Sequence, residues 1–168
     1  MGILTDDMKR VVGQQRIGFV ATVCPDGTPN LSPKGTAAVW DDDHLLFADL
    51  ASPVTMDNLR HNPSVEINLV DLFSRKGYRF KGNAHIVDKE KEPELHEEIF
   101  QAYENGRRGV HQVRLPARAY VLIKVERALP LVSPAYLPGV AEMETRQTWA
   151  EYWAGVHQDR MELLEKGR

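Results

Sequence analysis

The chain has 168 residues, 42% hydrophobic and 27% charged, with a net charge of -3 and a single cysteine, Cys24. That length supports one domain with a real core. The rest of the inventory excludes an internal disulfide and gives no broad basic footprint for nucleic acid.

No apolar run reaches bilayer length, and "MGILTDDMKR" is too polar for a signal peptide. The expectation is one cytoplasmic domain over residues 1–168. Thr5 is placed to cap a short helix in which Met8, Val11 and Val12 share a face. "RIGFVATV" is rich in β-branched and aromatic residues and predicts a strand, closed by the turn "PDGTP". The second strand is predicted from about Asn30 to Trp40, broken at Pro33 and Gly35. "DDDH" turns the chain and "LLFADL" returns as a third strand, so the three predict an antiparallel meander.

Ser52 and Pro53 suit a helix cap and first helical position, Met56 and Leu59 its apolar face, and Asn62-Pro63 its end. "SVEINLV" alternates as a fourth strand, and "SRKG" is a loop. "YRFKGNAHIV" is a fifth strand, with Tyr78, Phe80 and Ala84 facing one way. Pro93 opens a helix with a stripe of Leu95, Ile99, Ala102 and Tyr103. "NGRRGVHQV" reads as a flexible basic stretch, "ARAYVLIKVERA" as a sixth strand and "PLVSPAYLPG" as an irregular connection. From about Glu142 a helix carries Trp149, Tyr152, Trp153, Val156 and Leu163 on one broad face. Six strands with a few short helices predict a mostly β, closed or nearly closed antiparallel barrel. The missing strand–helix alternation excludes a doubly wound sheet.

Several chemistries lack their residues. No G-x-G-x-x-G, Walker or G-x-S-x-G motif is present. "HEEIF" at His96 lacks the second zinc-ligand histidine, and the six histidines show no metal-ligand spacing, so no metal is expected. Cys24 sits beside a turn with no evident base, as a structural thiol.

Three polar segments fall at strand or helix ends: "SPKGT", "ASPVT" and "SRKGYRFKG". A helix start at Ser52 and Thr55 is a natural phosphate seat, because unpaired N–H groups point outward there. Arg75, Lys76, Arg79 and Lys81 supply positive charge, and Gly35 lets a flat ligand approach the backbone. Each has a plainer reading: a bulge on an edge strand, a helix cap, a solvated basic loop.

Taken in order, "GFVATVCPDGTPNLSPKGT", "LLFADLASPVTMDNLRHNPSVEINLVD" and "RKGYRFKGNAHIV" resemble the pyridoxamine 5'-phosphate oxidase-like, FMN-binding split-barrel family, over roughly Gly18 to Val87. The resemblance implies a six-stranded antiparallel split barrel that forms homodimers with FMN at the interface. It implies that Ser32, Lys34, Gly35 and Thr36 run along the ring or ribityl chain, with Lys34 a candidate cation at the ring edge. Phe47, Ala48 and Asp49 fall beside the ring and phosphate chain. Ser52, Thr55 and Asn58 fall near the phosphate, and Lys76 to Arg79 on a strand that reaches the cofactor.

The pattern departs from true oxidases in two places. Their Ser-Arg-Lys phosphate cluster is replaced by Pro53, Val54 and Thr55, leaving Lys34, Lys76 or Arg79 to neutralise the phosphate. Their carboxy-terminal Arg-Leu-His-Asp-Arg motif is absent from "EYWAGVHQDR", so vitamin B6 oxidation is not implied. The implied activity is an FMN-dependent oxidoreductase passing hydride or electrons between a reduced nucleotide, NADH or NADPH, and a small acceptor. The alternatives are a flavin-storage or flavin-sensing protein, and a deazaflavin-dependent reductase on the same fold.

Overall fold

The computed structural model describes residues 2–106, 117–136 and 139–167. The elements are α1 (Asp6–Gln15), β1 (Gly18–Val23), β2 (Pro29–Lys34), β3 (Ala38–Val39), β4 (His44–Asp49) and α2 (Pro53–His61). They continue with β5 (Ser64–Asp71), β6 (Lys76–Asp88), α3 (Pro93–Gly106), β7 (Ala119–Val132) and α4 (Glu142–Lys166). The fold is mostly β with flanking helices, a split barrel. Of the basic stretch "NGRRGVHQV", residues 107–113 lie outside the described residues.

Two expectations are corrected. The strands form one seven-stranded antiparallel sheet rather than six strands, in the order β2-β1-β5-β6-β7-β4-β3. The expected meander keeps both its pairings, β1 with β2 and β3 with β4, but its middle strand is divided and the two halves lie on opposite edges of the sheet. The reason lies in Gly35 to Ala37, where the backbone leaves the ladder after Lys34 and resumes at Ala38 on the opposite edge of the sheet. Consecutive segments thus form the two edges, and the short break between them spans the split. Pro33 is tolerated because β2 is an edge strand, so its missing N–H costs no ladder bond on the outer side.

Local chemistry sets most boundaries. Thr5 caps α1, its hydroxyl accepting from the Met8 amide at 3.3 Å. Gly27 adopts φ +84 in the β1–β2 turn, a backbone conformation that glycine takes without steric cost. β6 shifts register between Lys81 and Gly82. A Cβ at Gly82 would collide with the Lys124 carbonyl, so the bulge requires glycine. β7 runs on through the expected irregular segment to Val132, because Leu129 to Val132 continue the ladder with Arg79 to Lys76.

The main core lies inside the curled sheet, where Val20, Ile67, Leu69, Phe80, Val121 and Ile123 meet Val11 and Val12 of α1. A second cluster, Leu46, Ala48, Val87, Tyr120 and Leu122, packs beneath Ile99 of α3. β4 and the first half of β7 contribute to both clusters. That explains their unbroken apolar runs where the other strands alternate. No helix among the described residues is long and apolar enough to cross a membrane.

Candidate functional site

The break after β2 and the start of α2 meet at Lys34. Its ammonium donates to the hydroxyls of Ser32 at 2.6 Å, Ser52 at 2.9 Å and Thr55 at 3.4 Å. Lys34 is 4% exposed, and its Nζ stands 5.7 Å from the centroid of the buried Phe47 ring. Burial pushes the Lys34 pKa down from its ordinary value, and the negative charge of Asp49 opposes that shift. A buried cation here is surrounded by hydroxyls, with Asp49 as its neighbouring charge.

Ser52 is the N-cap residue of α2 as expected, yet its hydroxyl makes no capping bond. It faces Lys34 instead, and the Asp49 carboxylate accepts from the Ser52 amide at 2.9 Å. Each of the three hydroxyls accepts from Lys34 and keeps its own O–H to donate. The first-turn amides of Val54 and Thr55 have no intrahelical acceptor. Cation, hydroxyl donors and helix start together form a donor set suited to a phosphate.

Thr36 fastens the other side of the break. Its hydroxyl donates to the Ala48 carbonyl at 3.1 Å and accepts from the Ala48 amide at 3.0 Å. Gly35 and Thr36 line a cavity of about 470 Å³. Trp40, Leu46 and Tyr103 are among its apolar walls, and Lys9 of α1 and Arg16, which follows that helix, also line it. A Cβ built at Gly35 meets no atom within 4 Å, so the glycine leaves open space on that wall.

The structure therefore brings together Ser32, Lys34, Ser52 and Thr55, and places Gly35, Thr36, Phe47, Ala48 and Asp49 around them. Three expected residues are engaged elsewhere. Asn58 is buried and donates to Thr22 at 3.0 Å and to the Cys24 sulfur at 3.4 Å, toward β1. Lys76 pairs with Glu142 at 2.8 Å, and Arg79 with Glu66 at 3.0 Å. Sequence reading did not find Trp40, Arg16 and Lys9. Tyr103 and Ala102 carried a signal, the apolar stripe of α3, but it pointed to core packing. Among the described residues no group of acidic, histidine and cysteine side chains could hold a metal ion.

A family model described as pyridoxamine 5'-phosphate oxidase matches residues 4–131. Among solved structures, HupZ of Group A Streptococcus is 30% identical with a TM-score of 0.65, covering 78% of this chain and 96% of that one. An FMN-binding protein from Syntrophomonas wolfei subsp. wolfei is 14% identical with a TM-score of 0.61, covering 76% of this chain and 86% of that one. An F420 reductase is 20% identical with a TM-score of 0.57, covering 74% and 98%. The last two show likeness of fold alone. No curated protein matches the sequence.

Proposed function

The chain belongs to the pyridoxamine 5'-phosphate oxidase family, and from that membership we propose that it is an FMN-binding flavoprotein acting as an oxidoreductase. The observation that carries this reading is the Lys34 group: a buried ammonium on three hydroxyls of β2 and the α2 start, next in the chain to Gly35 of the cavity wall. Bound FMN supplies hydride and electron transfer at its isoalloxazine ring. The chain's own residues bind and orient it.

In this reading Lys34, Ser32, Ser52 and Thr55 hold the phosphate, and Lys34 supplies the positive charge that Val54 and Thr55 lack where true oxidases carry arginine and lysine. Lys76 and Arg79 are held by carboxylates, so the neutralising charge is assigned to Lys34. Gly35 and Thr36 would present open backbone to the ring, and Trp40 and Tyr103, which line the same cavity, would help exclude water from it. A cytoplasmic homodimer that accepts electrons from NADH or NADPH completes the reading. A deazaflavin in the same cleft is the second reading, favoured by the fold likeness to an F420 reductase.

The test is a titration with FMN followed by flavin fluorescence, on the native chain and on Gly35→Val. Native protein is expected to quench FMN, and Gly35→Val to bind it at least about tenfold more weakly by filling the space beside the ring. The melting temperature should change little, since a Cβ at this position meets no protein atom within 4 Å. Failure of the native chain to quench FMN at high micromolar concentration sinks the flavin reading. Preferential binding of a deazaflavin in competition establishes the second one.

A further inference from the structure

We propose that α4 is an arm that docks on a second copy of this chain, laying its aromatic stripe across the exposed outer face of the β1–β2 hairpin. α4 lies beyond the matched family region, which ends at residue 131, and the proposal does not depend on the flavin reading.

Among the described residues the contacts that hold the helix fall at its start. Lys76 pairs with Glu142, Arg146 donates to Asp71 at 2.6 Å, and the Arg75 guanidinium stacks 4.2 Å from the Trp149 ring. Thr145 is its one buried residue among those described. Every residue from 150 to 165 is exposed. At 1.5 Å per residue this distal stretch runs about 24 Å past its anchors.

The stripe that meets the barrel continues along the exposed part. At 100° per residue, Trp149, Tyr152, Trp153, Val156, Leu163 and Leu164 fall on one side of the helix. Tyr152 is 54% exposed and Leu163 62%. A straight helix fixed through its first two turns cannot fold this stripe back onto its own barrel.

The same chain exposes a second apolar surface. Phe19 pairs across the ladder with Pro33, and Ala21 with Leu31, so all four share the outer face of the β1–β2 hairpin. Phe19 is 50% exposed and Leu31 65%. Soluble monomers rarely leave large apolar patches uncovered.

A two-fold arrangement uses each surface twice, with each arm on the other copy's hairpin. Half-exposed aromatic and aliphatic side chains contribute on the order of 80–100 Å² each. Arm and hairpin together thus offer roughly 700 Å² per copy, close to the about 800 Å² per partner of a stable interface. Both halves of the contact being present on one chain is the reason to assign the occupant as a second copy.

The test is hydrogen exchange of the full chain at low concentration and at a hundredfold higher concentration, with Trp153→Glu and Leu31→Glu beside the native protein. Both substitutions are at exposed positions, so folding is retained and is checked by exchange of the core strands. The expected result is protection over residues 150–165 that follows the dimer fraction, measured by sedimentation at each concentration. Both variants should lower that protection at least tenfold. Peptide-like exchange over 150–165 at every concentration overturns the proposal, as does protection that persists where the chain sediments as a monomer. Loss of protection in Trp153→Glu with none in Leu31→Glu also overturns it, since the arm would then sit on another surface.

Discussion

Replacing Lys34 with methionine is expected to weaken FMN binding about a hundredfold while leaving riboflavin binding unchanged. A hydrogen bond to a charged group contributes about 1.5–3 kcal/mol, and each 1.4 kcal/mol is a factor of ten. Methionine keeps the length and apolar bulk against Phe47 but removes the charge and three donors. Riboflavin has no phosphate, so a loss confined to FMN identifies Lys34 with the phosphate. An equal loss for both flavins would place Lys34 at the ring and refute this assignment.

The same residue predicts a pH dependence. Burial lowers the pKa of Lys34, opposed by Asp49, so it loses its proton at a lower pH than an exposed lysine. FMN affinity should therefore fall at alkaline pH ahead of the ordinary lysine titration. The stability effect has the opposite sign. The folded chain binds fewer protons at this site than the unfolded one between the two pKa values, so stability rises with pH there. Removing the buried charge in Lys34→Met should consequently leave the melting temperature of the flavin-free protein unchanged or raised at neutral pH.

Replacing Asp71 with alanine is expected to lower the melting temperature by about 4–16 °C. The Asp71 carboxylate is 2% exposed and accepts from Arg146 at 2.6 Å, the Phe73 amide at 2.9 Å and the Ser74 amide at 3.2 Å. Its loss leaves the buried Ser74 amide and the part-buried Phe73 amide without acceptors and frees the start of α4, costing about 2–4 kcal/mol. For a chain of this size each kcal/mol shifts melting by about 2–4 °C. Arg146→Ala should cost less, about 1–2 kcal/mol, because its guanidinium is partly in solvent.

Burial raises the pKa of Asp71, but Arg146 and the two amides outweigh it and hold the carboxyl below its ordinary value. Its stabilisation is therefore complete above the unfolded carboxylate pKa near 4 and is lost as pH falls through the folded value. Melting curves between neutral pH and about pH 3 should show a steeper acid decline in the native chain than in Asp71→Ala. Equal slopes would show that Asp71 does not carry the acid limb.

Much of the candidate site was legible in the chain. The segments "SPKGT" and "ASPVT" supply all the members of the Lys34 group, and the turn and cap chemistry of Gly27, Thr5 and Pro53 placed the adjoining elements. What escaped was direction. Ser52 occupies the cap position, but its hydroxyl serves Lys34, 18 residues away, in place of its own helix. Asn58 lies on the expected helix but turns to Thr22, and the aromatic face of α4 beyond Trp149 is in solvent.

The sequence by itself determined where strands, turns and helices lie and which family the chain resembles. Those properties rest on periodicity, glycine and proline at fixed offsets, and short ordered motifs. The tertiary structure alone decided that the second strand breaks at Gly35 so that β2 and β3 become opposite edges of one sheet. It also decided that Lys34 meets Ser52 and Thr55, and that Asp71 meets Arg146 across 75 residues. Local patterns encode which face of an element is buried. They do not encode which edges pair or which hydroxyl a buried cation reaches, because those depend on how the whole sheet closes.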